Sequence, residues 1–386
     1  MTRISVTCLA GIALSVGCSN VEPIKPDPAL TGLAFNWTLS LSATGKPAAN
    51  TGMAFAFSQD GQVHAVSLAD GSARWTRPVA GAPFEVHATD SVVIAVSDKL
   101  YGLSATSGEP RWTYAPPEGL SLIPMNIDDD LAYPVLYNGT GKMAAVDIRT
   151  GVERWRTNVL PPDSTFATGQ VFQIVGAARE GSLVAVAFSW RKSSQVQHRG
   201  GVAVVDRLTG ALLWSKMLPI VHAAHASFPD RPTLQNEVLV VPTEEGWIYA
   251  FDARTGTLRW RADPLIADTI IAGGSPYLDY RYVAADPSSV AVSSGGGIVR
   301  LLDLNDGHLL WERNLSEGSI EDAMQFDQDQ LVVTTFSGTL FGLKKATGAF
   351  LWHLGGATVD RFYRPQVRDG TLFLAGERTF RSAKLR

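Results

Sequence analysis

The sequence predicts an all-β fold, an eight-bladed β-propeller whose blades are four-stranded antiparallel sheets. Three observations support this prediction. A glycine followed four positions later by a tryptophan recurs seven times along the 386 residues. The composition, with 36 glycines and 21 prolines, suits many short strands joined by tight turns. The two chain ends each carry part of one further blade, so that joining them completes a ring.

The repeated glycine–tryptophan pattern is the strongest feature of the chain. The residue before each glycine is Asp, Ser or Thr, and an aspartate stands four positions before the glycine in four copies. The pairs are Gly71 and Trp75, Gly108 and Trp112, Gly151 and Trp155, Gly210 and Trp214, Gly256 and Trp260, Gly307 and Trp311, and Gly348 and Trp352. An eighth tryptophan, Trp37, precedes them. We interpret all eight as structural residues of outer strands that pack between blades.

Each repeat predicts a β-hairpin, and the clearest copy spans residues 250–260. In its turn, Gly256 is free to adopt a positive φ, and the side chain of Asp252 can accept hydrogen bonds from turn amides. The apolar, β-branched run 238–243 predicts the strand before it. Such a sheet cannot bury both faces alone, and stacking the blades radially covers them.

The chain ends predict how the ring closes. The segment around Trp37 resembles a last strand without its hairpin, while 371–375 and 379–383 resemble middle strands with no tryptophan strand after them. Together they form an eighth blade and remove exposed sheet edges. Segment 320–330 is compatible with a short helix, but the repeat register favours an inner strand.

The composition excludes some classes of function. The net charge of −4 provides no concentrated basic surface for nucleic acid. Both cysteines, Cys8 and Cys18, lie near the N-terminus, so the rest of the chain has no thiol for a disulfide, a metal or a nucleophile. Phosphate-binding loops, nucleophile elbows and zinc-protease motifs are missing from the sequence.

The N-terminus predicts a secreted, lipid-anchored protein. Residues 1–17 combine an early arginine with an apolar run too short to span a bilayer, which is typical of a signal peptide. The run ends at Cys18 in a sequence that resembles a bacterial lipobox, although Ser15 occupies the position where leucine is favoured. We expect lipid attachment at Cys18, a proline-rich tether over 18–32 and a propeller over 33–386. The alternatives are ordinary secretion with an incidental cysteine, or an apolar start that is not processed. Ser19 favours the outer membrane, with the protein facing the periplasm.

The repeat resembles the PQQ-like propeller repeat from residue 33 to the end. With the lipobox, the tether and the isolated first strand, the chain is similar to the BamB family of outer-membrane β-barrel assembly lipoproteins. That resemblance implies a non-catalytic scaffold that docks on the barrel-forming subunit, through loops following Trp155 and Trp214. Asp230 matches an acidic docking position, with Arg231 beside it. The loop at 161–169 lacks the arginine that the family carries there.

Other functions remain open from the sequence. The repeat also occurs in quinoprotein oxidoreductases, which would bind PQQ with calcium, but this chain lacks their adjacent cysteine pair. A surface lipoprotein with an extracellular ligand is a third class. Three local clusters each have a functional and a purely structural interpretation. Asp128–Asp130 suggests calcium or a solvated turn, His222 and His225 suggest zinc or loop histidines, and the basic segment 191–199 (Arg191, Lys192, His198, Arg199) suggests an acidic partner or a solvated hairpin.

Overall fold

The computed structural model describes residues 33–385 except 82–84, 117–120, 124–126, 138–140, 162–169, 193–197, 220–230, 244–245, 263–279, 295–296, 316–319, 321–323, 336 and 356–361. Every helix or strand assigned in this part of the chain is a β-strand. The same residues include no helix with the length and hydrophobicity needed to cross a membrane.

The strands group into eight blades, numbered here in chain order. The first strand, β1 (Phe35–Ser40), belongs to the last blade. Blade 1 contains β2 (Ala43–Ala49), β3 (Met53–Ser58), β4 (Gln62–Ser67) and β5 (Ala73–Pro78). Blade 2 contains β6 (Glu85–Ala88), β7 (Val92–Val96), β8 (Leu100–Ser104) and β9 (Pro110–Tyr114). Blade 3 contains β10 (Ser121–Ile123), β11 (Leu131–Ala132), β12 (Val135–Tyr137), β13 (Lys142–Asp147) and β14 (Glu153–Asn158).

Blades 4 to 8 complete the circle. Blade 4 contains β15 (Gln170–Glu180), β16 (Leu183–Lys192), β17 (His198–Asp206) and β18 (Leu212–Met217). Blade 5 contains β19 (Thr233–Gln235), β20 (Val238–Pro242), β21 (Ile248–Asp252) and β22 (Leu258–Ala262). Blade 6 contains β23 (Tyr280–Ala285), β24 (Ser289–Ser294), β25 (Ile298–Asp303) and β26 (Leu309–Asn314). Blade 7 contains β27 (Gln325–Asp327), β28 (Gln330–Thr334), β29 (Leu340–Lys344) and β30 (Phe350–Leu354). Blade 8 contains β31 (Phe362–Arg368), β32 (Thr371–Gly376), β33 (Thr379–Lys384) and β1.

The ring closes as the chain ends predict. Strand β1 pairs antiparallel with β33, with Phe35 opposite Ala383 and Ser40 opposite Thr379. Blade 8 therefore takes its outer strand from the N-terminus and its other three strands from the C-terminus. The expected inner strand within 320–330 is present as β27.

Among the described strands, three blades depart from the simple four-stranded pattern. In blade 3, β11 and β12 both pair with β13 and are two pieces of one strand, separated by Tyr133 and Pro134. Proline has no N–H to donate to the ladder, which explains the break. Blades 1 and 2 are joined into one sheet, because β2 and β6 pair in parallel where Lys46 lies opposite Glu85.

The hydrophobic core lies between the blades. The described residues form eight clusters of buried side chains, each shared by two neighbouring blades, and together they run around the whole ring. The cluster between blades 8 and 1 joins Trp37 and Phe380 to Ala54 of β3. Because each blade contributes to two clusters, removing one blade would expose both of them. The cost would be about 25 cal/mol per Å² of apolar surface exposed.

The repeated motif forms the joint between blades. Seven of the tryptophans donate an indole N–H hydrogen bond of 2.6 to 2.9 Å to a turn carbonyl in the following blade. The motif glycine of that turn lies against the same indole, as Gly256 does on Trp214. Its φ of 69° is in the left-handed region that glycine adopts without strain. Asp252 accepts hydrogen bonds from the amides of Arg254 and Thr255, as predicted.

Candidate functional site

Charged side chains gather where the inner strands surround the central channel. The first strands of neighbouring blades contact one another around the ring, for example β2 with β6 and β31, and β15 with β19. Lys46 lies on β2, Glu85 and His87 on β6, and Arg364 on β31. Arg231 lies two residues before β19. The charges of Glu85, Arg231 and Arg364 all act on Lys46, so four blades direct ionised groups towards one region.

Glu85 and His87 form a pair on the inner strand of blade 2. Residues two apart on a strand point to the same face, which places both side chains together. His87 Nε2 lies 3.2 Å from Glu85 Oε1, and the side chains are only 17% and 9% exposed. Burial alone would raise the pKa of Glu85, but the charges of His87, Lys46 and Arg364 outweigh it and hold that pKa well below the usual range. Glu85 is therefore an ionised carboxylate that several cations share.

Lys46 is a cation of this group that is largely enclosed by protein. Loss of hydration lowers the pKa of its ammonium, Glu85 opposes that effect, and repulsion from Arg231 and Arg364 adds to it. Within the described part of the chain, the ammonium has no hydrogen bond or ion pair. Lys46 is enclosed by protein yet retains some solvent contact, as expected of a side chain that faces a channel.

Asp128 is a buried structural carboxylate and not the solvated turn residue that the sequence suggested. It does lie in a turn, but its side chain is only 6% exposed. Arg207 of blade 4 donates to both of its oxygens, at 2.9 and 3.0 Å, and Tyr133 donates a further hydrogen bond of 2.7 Å. Although burial raises the pKa of Asp128, these donors lower it to about 2. Its oxygens hold blades 3 and 4 together and are poorly placed to coordinate calcium.

A small cleft of about 300 Å³ opens between blades 2 and 3. Its walls include the apolar side chains of Val92, Ile94 and Ile127. Of its polar members, Asp128 binds Arg207, whereas His87 Nε2 lies near Glu85 without a hydrogen bond and Asp129 is exposed. The cleft is therefore small and mostly apolar at its base, with Asp129 at its exposed side.

Among the described residues, no group of three potential metal ligands lies on the inner strands. The one set of three candidate ligands among the described residues is Asp303, Asp306 and His308, in the turn between β25 and β26. Asp303 accepts from the amide of Asn305 at 2.8 Å, and Asp306 from that of His308 at 3.0 Å. These carboxylates stabilise their own turn, which accounts for their positions.

The structure tests the other predicted site residues unevenly. Arg231 lies close to Gly176 of β15 and within electrostatic range of Lys46. Outside the described residues lie Cys18, His222, His225 and Asp230. Residues 162–169, nearly all of the predicted docking loop that follows Trp155, are also outside them. In the basic segment 191–199, β16 ends at Lys192 and β17 begins at His198, and residues 193–197 lie outside the described part of the chain.

Sequence reasoning missed Lys46, Glu85 and Arg364. None belongs to the repeated motif, and their convergence depends on ring closure, which brings residues 46 and 364 together. A usable signal does exist. Each is a charged residue inside a strand or at its start, where alternation leads one to expect an apolar or small side chain on a packed face.

Comparison with known proteins gives a consistent result. A family model described as outer membrane protein assembly factor BamB matches residues 59–219 and 198–383. The outer membrane protein assembly factor BamB of Burkholderia pseudomallei is 25% identical over 284 residues, which cover 71% of this chain and 67% of that protein. The crystal structure of BamB from Moraxella catarrhalis has a TM-score of 0.67 at 17% identity and covers 92% of this chain and 100% of that one.

A quinoprotein is also among the relatives. The dehydrogenase subunit of the quinone alcohol dehydrogenase of Acetobacter aceti is 20% identical over 317 residues, which are 72% of this chain but only 33% of that protein. A calcium-assisted quinone site does not fit the described part of the channel, where the one carboxylate near Lys46 is Glu85 and the three-ligand set lies in an outer turn.

Proposed function

The chain belongs to the BamB family of outer membrane protein assembly factors, and from this membership we propose that it is a non-catalytic, lipid-anchored scaffold that assists the assembly of outer-membrane proteins. One observation carries the proposal. The family model matches the propeller almost from end to end, and the closed ring with buried joints between blades would serve as a platform for docking. A fold alone does not determine function, so the partner needs its own test.

The proposed position of the protein follows from its N-terminus. A thioether lipid at Cys18 would hold the propeller at the outer membrane, and the tether over 18–32 would let it face the periplasm. Each buried lipid methylene contributes about 0.8 kcal/mol, so several acyl chains make release negligible. Cys18→Ser should leave the protein soluble in the periplasmic fraction after cell lysis without detergent.

The proposed partner is the barrel-forming subunit of the assembly machinery, and docking involves the loop that contains Asp230 and Arg231. A basic surface on that subunit would complement Asp230. The test is affinity capture of the tagged protein from solubilised outer membranes, followed by identification of the recovered subunit.

The variant Asp230→Lys should reduce recovery of that subunit at least fivefold. Asp329→Lys is the matched control, because Asp329 is an exposed acid in a turn of blade 7, and its recovery should equal that of the wild type. Equal recovery with both variants removes Asp230 from the interface. If the wild type recovers no assembly subunit above an unrelated propeller, the scaffold role is wrong.

The alternative function is a PQQ-dependent oxidoreductase. The purified protein should neither bind PQQ saturably in the presence of calcium nor oxidise alcohols or sugars with an artificial electron acceptor. Saturable binding together with turnover would replace the scaffold proposal with this one.

A further inference from the structure

Exposed apolar side chains lie along one part of the outer edge of the ring. Among the described residues, six large apolar side chains are 46% to 69% exposed, and all belong to the motif turns or outer strands of blades 3 to 6. Single exposed apolar residues are ordinary on a protein surface, whereas a row of them on adjacent elements marks an interaction surface. These six form the apolar rim: Val152, Leu208, Leu213, Leu258, Leu309 and Leu310.

The propeller does not need leucine at these positions. Leu213 and Leu310 stand three residues after the motif glycine, where blades 1, 2, 3 and 5 carry an exposed arginine. Leu258 and Leu309 stand two residues after it, where blade 1 carries the exposed Ala73. Because these four leucines are about half exposed, they add little buried area to the core. Packing within the propeller therefore does not explain them.

The apolar rim is continuous, because each outer strand contacts the motif turn of the next blade. The indole of Trp214, next to Leu213, lies against Gly256, which is two residues before Leu258. The same contact between an indole and a motif glycine joins blade 3 to blade 4 and blade 5 to blade 6. The exposed side chains therefore follow one another along the edge of the ring.

A second set of turns lies beside the apolar rim. Antiparallel strands place the turn between the first and second strands of a blade at the same edge as the motif turn. Backbone hydrogen bonds join the two turns, as in blade 4, where the amide of Arg207 donates to the carbonyl of Ser182 at 2.8 Å. The two sets of turns make up the motif-turn face of the ring. In blades 3 to 6 all of these turns belong to the described residues.

The motif-turn face of blades 3 to 6 is acidic. Each arginine in its turns is bound to an acid of the same face, in the pairs Arg149 with Asp130, Arg207 with Asp128, and Arg254 with Glu237. The arginines on the outer strands of blades 3 and 5 are paired in the same way. Other acids of this face have no cation partner within the described part of the chain, namely Asp129, Glu180 and Asp206. Negative charge is therefore in excess beside the exposed leucines.

We propose that the motif-turn face of blades 3 to 6 is a docking surface for a protein segment that presents apolar side chains flanked by lysine or arginine. The leucines of the apolar rim pack against those apolar side chains, and the unpaired carboxylates attract the cations. A second copy of the same face, or an anionic lipid surface, would bring like charges together.

This surface is separate from the predicted contact with the barrel-forming subunit. The docking loops predicted for that contact follow β14 and β18 in the chain. Those strands begin at the motif turns, so they end at the opposite edge of the ring. The inference therefore goes beyond the scaffold role and does not depend on it.

The experiment measures, by fluorescence anisotropy, the binding of two synthetic peptides of equal length to the purified full-length protein. One peptide alternates leucine with lysine, and the other alternates leucine with glutamate. We expect saturable binding of the leucine–lysine peptide and at least tenfold weaker binding of the leucine–glutamate peptide. No saturation with the first peptide, or equal affinity for both, would overturn the proposal.

The combined variant Leu213→Arg with Leu310→Arg should bind the leucine–lysine peptide at least tenfold more weakly. Other blades carry arginine at this position, so the variant should fold, which thermal melting checks. Ala73→Arg is the control, because it adds the same charge to the exposed outer strand of blade 1, and it should bind as the wild type does. Asp129→Lys should weaken binding at least threefold, whereas Asp329→Lys, in an exposed turn of blade 7, should not.

Wild-type affinity in the folded double variant or in Asp129→Lys would overturn the proposal. Two further measurements test other occupants of the face. Self-association of the wild-type protein that the double variant abolishes would assign the face to a second copy. Binding of phosphatidylethanolamine–phosphatidylglycerol vesicles by Cys18→Ser protein that the same two changes abolish would assign it to a lipid surface, and either result would replace the proposed partner. Affinity capture of the barrel-forming subunit tests the scaffold role alone and should be unaffected by the double variant.

Discussion

The indole nitrogen of Trp352 donates its hydrogen to Oε1 of Gln330 at a distance of 2.8 Å, within the same blade. The other seven motif tryptophans donate to a turn carbonyl of the next blade. Blade 8 has no motif turn between its third and fourth strands, because those strands, β33 and β1, come from opposite ends of the chain. For Trp352, the side-chain amide oxygen of Gln330 is therefore the hydrogen-bond acceptor in place of a turn carbonyl.

Replacing Gln330 with leucine should therefore destabilise the protein. The indole N–H of Trp352 would stay buried without an acceptor, which costs about 1–3 kcal/mol. Chemical denaturation followed by tryptophan fluorescence measures the change. Gln59→Leu, in an exposed turn, should leave the free energy of unfolding nearly unchanged. Equal stability of the two variants would show that the bond contributes nothing.

Gly256 is required for two reasons, its close contact with Trp214 and its positive φ, and the two can be tested separately. A Cβ on Gly256 would lie 2.7 Å from Trp214 Cδ2, whereas one on Gly370 would have nothing within 4 Å. Both glycines have φ near 70°. Each Gly→Ala change should cost about 1 kcal/mol for the left-handed backbone, and Gly256→Ala about 1–3 kcal/mol more for overpacking.

Thermal and urea unfolding of these two alanine variants provide the comparison. Gly256→Ala should be clearly the less stable. If both lose the same stability, the indole does not restrict this glycine, and the motif needs glycine only for its backbone.

Asp128 should make the stability of the protein depend on acid pH. Its pKa is about 2 in the folded state, below the ordinary value of 3.8. A lowered pKa contributes stability that is present above the ordinary value and is lost as the pH falls towards 2. Asp128→Asn should cost about 2 kcal/mol near neutral pH, and less as the pH decreases from 4 to 2.

The measurement is the melting temperature of the wild type and of Asp128→Asn from pH 7 to pH 2. Asp329→Asn is the exposed control and should follow the wild type throughout. A difference between Asp128→Asn and the wild type that stays constant from pH 7 to pH 2 would rule out the ionised carboxylate as its source.

The fold could be predicted from the sequence because local rules repeat. Each glycine–tryptophan pair fixes a turn and an outer strand, and the unmatched Trp37 segment required closure with the C-terminus. The turn at Asp128 was predicted, but the expectation of a solvated side chain was wrong, since its partner Arg207 is 79 residues away and in another blade. The motif does place Arg207 next to Asp206, but nothing in the repeat indicates which neighbouring turn it reaches.

The channel cluster was not predictable for a related reason. Lys46 and Arg364 come near each other only when the ring closes, and neither belongs to the repeated motif. Charges acting across a channel depend on the three-dimensional arrangement of four blades, which local periodicity does not encode.

Circular closure by the N-terminal strand is the claim on which the scaffold depends most. The direct test is the melting temperature of a monomeric protein that lacks residues 33–41, which removes β1 and Trp37. A deletion of the same length within the tether, 19–27, is the control. Closure predicts a large loss of thermal stability or failure to fold with the first deletion, because blade 8 loses its outer strand and the cluster around Trp37 opens, and no change with the second. A monomer lacking 33–41 that melts at the wild-type temperature would contradict closure.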